Sequence, residues 1–450
     1  MTADWLRLLS PARRTAPADP VNGARSAFQR DHDRVLFSGP FRRMADKTQV
    51  FPLPYDDHVH SRLTHSLEVA AVGRSLGTLV GRRILAASPS LKEHLEDRDF
   101  GDCVAAACLA HDLGNPPFGH VGEEAIQEFF GEYFAIRPAG GFAADLAPDE
   151  RTDFTRFEGN AQTFRIVTRL ERPLRGGGLD LSRATLGALL KYPCASAVAD
   201  RESKSVARKK HGAVVADLPR LAEAAEALGL ARDPGGAPAW RRHPLAFLTE
   251  AADDIAYHIL DLEDGYRLGH VGTTEYRDLM LPLCATDAEV AELSEPRSYN
   301  ERLDQVETLR ARVMDRFIHE AGEAFLTRLP EILSGAFDEP LAGVIGSRAE
   351  LRAIRKVCFA KCYKARDVLK MELAGTEAIQ GLLHIFTRAF EQPRSIRAQH
   401  LSRLLPALFE DVPAYERLLR LTDHVSGMTD HYAVRRYREL RGMRYPGGRD

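Results

Sequence analysis

Long hydrophobic runs are missing from this chain. The longest, Cys103 to Ala110, falls far short of the ~20 apolar residues that a bilayer-spanning helix needs. The first residues, MTADWLRLLSPARR, lack the layout of a secretory leader, because the apolar patch is short and the basic residues follow it. A soluble, cytoplasmic protein is expected. Cysteine is scarce as well: Cys103, Cys108, Cys194, Cys284, Cys358 and Cys362 are scattered, which fits reduced, buried thiols rather than a disulfide framework. Cys358 and Cys362 have a metal-like spacing, but packing is the expected role. Charge of one sign is also lacking. With 61 Lys and Arg against 64 Asp and Glu the net charge is −3, so any site for a polyanion must be local. What the chain has in quantity is apolar material, 44% of 450 residues, enough for one large core or two to three ordinary domains.

The most informative stretch is CLAHDLGNPPFGHVGEE, residues 108–124. His111 and Asp112 stand side by side and can offer a ring nitrogen and a carboxylate oxygen to one metal ion. Ala105, Cys108 and Leu109 predict a buried helix, and Gly114 with Pro116 and Pro117 predicts its end. The pair is therefore expected on the last turn of a core helix, before a stiff loop that returns His120 and Glu123 toward it.

Upstream, residues 1–24 are rich in Ala, Pro and Arg and read as a flexible arm. Arg30, Arg34, Arg42, Arg43 and Lys47 alternate with Phe28, Leu36, Phe37, Phe41 and Met44. A solvated amphipathic helix and a set of phosphate contacts fit that pattern about equally. Pro52 and Pro54 predict an extended loop, after which Ser61 can cap a helix carrying Leu63, Leu67, Ala70 and Leu76. His65 lies in its first turns with Arg62 on the same face, while His58 and His60 read as loop residues nearby. Two imidazoles and a carboxylate make most of a divalent ion's shell.

Downstream, residues 124–156 hold the amphipathic piece AIQEFFGEYF and then a bland loop. Asn160 opens the next helix, either capping it or donating to a ligand, with capping the safer reading. Lys191 ends a short apolar helix at KYP, and residues 197–212 read as a charged loop ending in Lys209 and Lys210. A second informative stretch, HPLAFLTEAADDIAYHILDLEDGYRLG, has one apolar face through Leu245, Leu248, Ala252, Ile255, Ile259 and Leu262. On that phasing Asp253, Tyr257 and Asp261 form one polar stripe bordering the core. Asp253 can supply a fourth ligand, and Asp254 competes for that place. Residues 296–450 alternate apolar helical periods with Arg-rich faces, as in LDQVETLRARVMDRFIHEAGEAFL.

His65, the His111–Asp112 pair and a later Asp on a separate helix resemble the HD superfamily of metal-dependent phosphohydrolases. RRMADKTQVFPL, SRLTHSLEVA, AHDLGNPPFGHVGEEAI, FEGNAQTFRIV, KYP, TEAADDIAYHILDLED and the late SGMTDHYA resemble bacterial deoxyguanosinetriphosphate triphosphohydrolases in particular. The resemblance implies an all-α fold, with 27–275 as an HD-type core, 276–450 as further helices packing on it and joining oligomer contacts, and 1–26 as the arm. It implies one divalent metal per subunit, Mg²⁺ or Mn²⁺, on His65, His111, Asp112 and Asp253. It makes His120 the catalytic imidazole with Glu123 as its carboxylate partner. It gives phosphate contacts to Arg62, Asn160, Lys191 and Lys210, and the sugar hydroxyl to Tyr257 and Asp261. The implied reaction splits a deoxynucleoside triphosphate (dNTP), dGTP or others, into deoxynucleoside and inorganic triphosphate by attack at the α-phosphorus. A hexamer or tetramer and a dNTP effector are implied by the same likeness, while the basic segments 30–47 and 201–210 add single-stranded DNA as a candidate partner. Another HD phosphohydrolase, such as a nucleotide phosphatase or guanosine tetraphosphate hydrolase, and a non-enzymatic nucleotide or single-strand sensor are the alternatives.

Overall fold

The computed structural model describes residues 2–15, 24–51, 59–136, 141–172, 176–233, 236–284 and 298–443. The chain is all-helical: among these residues only isolated bridges, and no strands, accompany the helices. The helices that place the site are α1 (Thr2–Leu8), α2 (Ala27–Leu36), α3 (Arg62–Ala87), α4 (Asp97–Ala110), α5 (Gly119–Ile136), α6 (Gly159–Arg165) and α7 (Arg183–Leu189). Further along come α8 (Pro244–Arg267), α9 (Tyr299–Ser334), α10 (Arg348–Val357), α11 (Arg366–Glu391), α12 (Ala414–Ser426) and α13 (Asp430–Arg441). No helix is long and apolar enough to cross a membrane among the described residues.

The centre is the pair α3 and α4. Ser61 caps α3 as its sequence predicts, accepting from the Thr64 amide. Gly77 in the middle of α3 lets α4 come against its backbone; a Cβ there would lie 2.6 Å from the Phe100 carbonyl oxygen. On α4 every residue from Phe100 to Ala110 is buried, so beyond its first turn this helix has no solvent face and ends with its last turn already deep in the protein. His111 is the residue that closes it.

Two apolar cores meet at that end. One runs through α1, α3, α4, α8, α9 and α10, with Leu76, Leu109, Leu248, Phe317 and Ile354 among its buried residues. The other joins α5 to α11, α12 and α13 through Ile126, Phe130, Leu382, Phe386 and Leu421. Packing therefore crosses residue 275 without a break, and helices from both halves of the chain surround the end of α4. Cys358 and Cys362 are buried free thiols, as expected from their packing role.

Residues 2–15 do not form the flexible arm expected of them. Trp5 and Leu9 are buried, and the Trp5 ring lies 5.1 Å from that of Phe100. Arg13 pairs with buried Asp31 of α2. Composition alone hid this, because one Trp and two Leu suffice to anchor a Pro- and Arg-rich stretch. The basic segment that follows is neither fully solvated nor directed at a ligand cavity: Arg34 donates to the carbonyls of Leu179 and Asp180, and Lys47 is buried. Trp5→Ala is expected to cost about 3–5 kcal/mol of unfolding free energy. Urea unfolding of the variant measures it, and a loss below about 1 kcal/mol would return the segment to the status of an arm.

Candidate active site

Three helices deliver the central cluster: α3 brings His65, the end of α4 brings His111 and Asp112, and α8 brings Asp253. One donor atom each from His65, His111 and Asp112 all lie within 4.8 Å of one another. Asp253 Oδ1 sits 3.2 Å from His65 Nε2 and 3.5 Å from His111 Nε2. Asp254 makes no such approach among the described residues, and Asp253 is the acid of that pair that meets both imidazoles. His111 Nδ1 donates to the Cys108 carbonyl at 2.6 Å, which turns Nε2 toward the carboxylates. Asp112 is itself held at both oxygens, by Arg62 Nη1 at 2.6 Å and Asn115 Nδ2 at 2.6 Å. Burial alone would disfavour charge here. The carboxylates of Asp112 and Asp253 overcome it and lift His111 to about 9, while His111 and Arg62 hold Asp112 down at about 2. Positive charge is what this cluster favours at its centre, and two imidazoles with two carboxylates fit a divalent ion.

His120 is the second residue of α5. The turn before it is tight: Phe118 takes φ +62°, a left-handed conformation costing about 1–2 kcal/mol for a residue with a Cβ. Nδ1 of His120 lies 2.9 Å from Glu123 Oε2, and Glu123 Oε1 accepts the Gly159 amide at 2.6 Å. Residue 159 must be glycine for this approach, since a Cβ there would stand 2.7 Å from Glu123 Oε1. The bond from Glu123 raises the His120 pKa above its ordinary value. For Glu123, burial opposes charge but His120 and Lys210 outweigh it and keep the carboxyl low. The imidazole remains 74% exposed while Glu123 is buried, so the ring is braced from behind and open in front.

His111, Asp112 and Asp253 of the cluster share one cavity of about 920 Å³ with His120. Arg62, Asn160, Lys191, Lys210 and Tyr257 all line it. Asn160 is not the cap of α6: Glu158 occupies that place, and Asn160 donates to it at 2.7 Å. The two lysines are engaged rather than free. Lys191 lies 3.2 Å from Glu250, and Lys210 lies 2.9 Å from Glu158 and 3.8 Å from Glu123. Asp261 is the departure from the expected stripe. It is buried and accepts the Tyr363 hydroxyl at 2.6 Å, and Tyr363 rather than Asp261 lines the cavity. The eight-residue offset carries Asp261 one turn too far toward the core. His60 is held between Asp264 and Glu68, and His58, Pro52 and Pro54 lie outside the described residues.

The cavity also holds residues that the sequence did not single out. Arg352, Arg355 and Lys356 of α10 line it and are exposed, and none forms an ion pair among the described residues. An Arg-rich helix two hundred residues from the motif carries no local signal of this. Arg62 Nε, His258 Nδ1 and Gln49 Oε1, all on lining residues, are buried without a hydrogen-bond partner.

A His-His-Asp cluster at the end of a buried helix, inside an all-α cavity with a braced imidazole, defines an HD-domain phosphohydrolase. The HD domain pattern matches residues 62–152, and that of a phosphohydrolase-associated domain matches 346–439. The chain is 39% identical to a deoxyguanosinetriphosphate triphosphohydrolase-like protein of Synechocystis sp., over 98% of this chain and 99% of the relative. It is 38% identical to one of Pseudomonas aeruginosa, over 98% and 100%, and 29% identical to a deoxyguanosinetriphosphate triphosphohydrolase of Yersinia enterocolitica, over 92% and 93%. The chain belongs to the deoxyguanosinetriphosphate triphosphohydrolase-like family of HD-domain enzymes.

An HD domain implies a divalent metal, and this cluster can hold it. Elemental analysis of the purified protein is expected to give one divalent ion per chain, lost in His111→Ala. Asn115→Ala, which frees one oxygen of Asp112, is expected to weaken metal affinity about 10–100-fold. A full equivalent retained by His111→Ala would place the ion elsewhere.

Proposed function

We propose that this enzyme hydrolyses deoxynucleoside triphosphates to deoxynucleoside and inorganic triphosphate, by attack at the α-phosphorus. The observation that carries the reading is the presence of braced His120 in the same cavity as His111, Asp112 and Asp253, the cluster that His65 completes from behind, and a set of cations. Mg²⁺ or Mn²⁺ on those four residues would neutralise phosphate charge and raise the nucleophilicity of water. The remaining work falls to the chain. Expulsion of the 5′ oxygen as an alkoxide is unfavourable unless it receives a proton. His120 is suited to deliver it, because Glu123 holds Nδ1, which leaves Nε2 as the donor to the cavity, and the raised pKa favours the protonated ring.

Arg62, Lys210, Lys191 and Asn160 are the phosphate contacts of this reading, with Arg352, Arg355 and Lys356 added to them from α10. The unpaired Nε of Arg62 supports a ligand oxygen at that point. Tyr257 and Tyr363 stand 5.9 Å apart, ring to ring, and hold the organic part of the substrate, so Asp261 acts on it through the Tyr363 hydroxyl.

Purified protein incubated with each dNTP and Mg²⁺ or Mn²⁺ should yield deoxynucleoside and intact triphosphate on ion-exchange chromatography. Release of monophosphate or pyrophosphate instead would make it a different HD phosphohydrolase. His120→Ala should lower kcat by about 10²–10⁴-fold with metal content unchanged. Because the folded His120 pKa is raised and the protonated form is active, kcat should hold below that pKa and fall as pH rises through it. Glu123→Gln should bring the falling limb down toward the ordinary imidazole range; an unmoved limb would assign it to another group. Arg355→Ala should raise KM more than it lowers kcat, and an unchanged KM would remove α10 from the phosphate site.

A further inference from the structure

We propose that Asp430, at the start of α13, is a positioning residue that aims His120 without touching it. One carboxylate oxygen accepts the Phe118 amide at 2.9 Å and the other accepts the Thr48 amide at 2.9 Å. Phe118 is the left-handed residue two places before His120, and Thr48 begins the Thr48–Gln49–Val50 stretch that lines the cavity. A single buried group thus ties the turn that launches the imidazole to the opposite lining of the same cavity.

The tie has reasons to be a carboxylate. Two N–H groups converge on it, and a carboxylate accepts from both, whereas a carboxamide accepts from one and turns its own donor on the other. Asp430 is the first residue of α13, where the positive end of the helix favours its charge, and Thr429 caps that end by accepting the Tyr432 amide. The position of Phe118 is over-determined from the other side by Gly375 of α11, whose missing Cβ would stand 2.5 Å from the Phe118 ring. Lys47 supplies a parallel strut, donating to the carbonyls of Asn115 and, at 2.9 Å, Ser426. The late SGMTDHYA motif is therefore a mould for the loop between Asp112 and His120, contributed by the far end of the chain.

The groups that face His120 are Glu123 on its own helix, Lys210 and Arg62. Of these the Glu123 bond depends most on aim, because it requires the ring at one place and angle. The inference rests on His120 being the acid of the proposed reaction, but its first test is independent of activity. Full-length, Mg²⁺-loaded protein carrying ¹³C-labelled histidine is titrated by NMR, with His120→Gln to assign the resonance. In Asp430→Asn the His120 pKa should fall toward the free imidazole value by about half a unit or more, as the Glu123 bond loosens. With any dNTP that the wild type hydrolyses, kcat should fall by about 10–100-fold and KM should change less.

Tyr437→Phe removes the bond from α13 to Glu377 of α11 and loosens the same helix while leaving both amide bonds of Asp430 in place. It should lower the unfolding temperature and leave the His120 titration where it was. An unshifted His120 in folded Asp430→Asn, or an equal shift in Tyr437→Phe, overturns the proposal. Hydrogen exchange in the wild type needs no variant to fold: the Phe118 amide should be protected like those of α5, and exchange at the rate of an open turn overturns it as well. Absence of dNTP hydrolysis by the wild type would defeat the functional reading alone, since the titration and exchange still decide the role of Asp430.

Discussion

The site depends on how two half-buried carboxylates, Asp112 and Asp253, keep their charge. Desolvation opposes it in both, and only concentrated positive charge can win. The protein supplies that charge from two sides. Arg62 and Asn115 grip Asp112 from outside the cluster, and the two imidazoles face both acids from within. A divalent ion among four such donors satisfies the same demand more fully than a proton on His111. Metal binding in this reading is thus a consequence of burial: the fold places anions where they cannot stay uncompensated.

The second carboxylate system, Glu123 with Glu158, solves the same problem differently. Lys210 lies between them, and the Gly159 amide and His120 take the remaining oxygens of Glu123. Burial and the neighbouring Glu123 raise Glu158, while Lys210 holds Glu158 and approaches the same Glu123 oxygen that meets His120. The result is a His120 that is open to the cavity but tethered by a group that is not. Such a tether fixes which ring nitrogen meets a ligand, and a proton can then be offered in one direction only.

Much of this was legible in the sequence because the chemistry is local. His111 and Asp112 are adjacent, Ser61 caps the helix that carries His65, and His120 and Glu123 share one turn of α5. Asp253 could be phased from the apolar residues of its own helix. What was not legible depends on register over distance or on partners far away in the chain. Asp261 follows from the same phasing, yet two turns beyond Asp253 it meets Tyr363, a partner no spacing rule could name. Asn160 reads as a cap, but α6 begins one residue earlier. The N-terminal stretch looks like an arm by composition, and three apolar side chains pin it to α4 and its neighbours.

The C-terminal helices explain why an HD motif alone would not make this site. The span matched by the phosphohydrolase-associated domain, 346–439, includes Arg352, Arg355 and Lys356, the Tyr363 hydroxyl on Asp261, and Asp430 on the Phe118 and Thr48 amides. Exposed cations such as those on α10 are individually weak partners for single counterions in water. They become effective when one ligand carries several charges at fixed spacing, because holding the first orders the rest. Under the proposed reaction a triphosphate left in one piece is such a ligand. In the proposed reaction, cleavage at the α-phosphorus, rather than at an outer phosphate, would keep all three phosphates on the fragment that those cations face. In that reading the C-terminal helices would bear on which bond breaks as well as on how tightly the substrate binds.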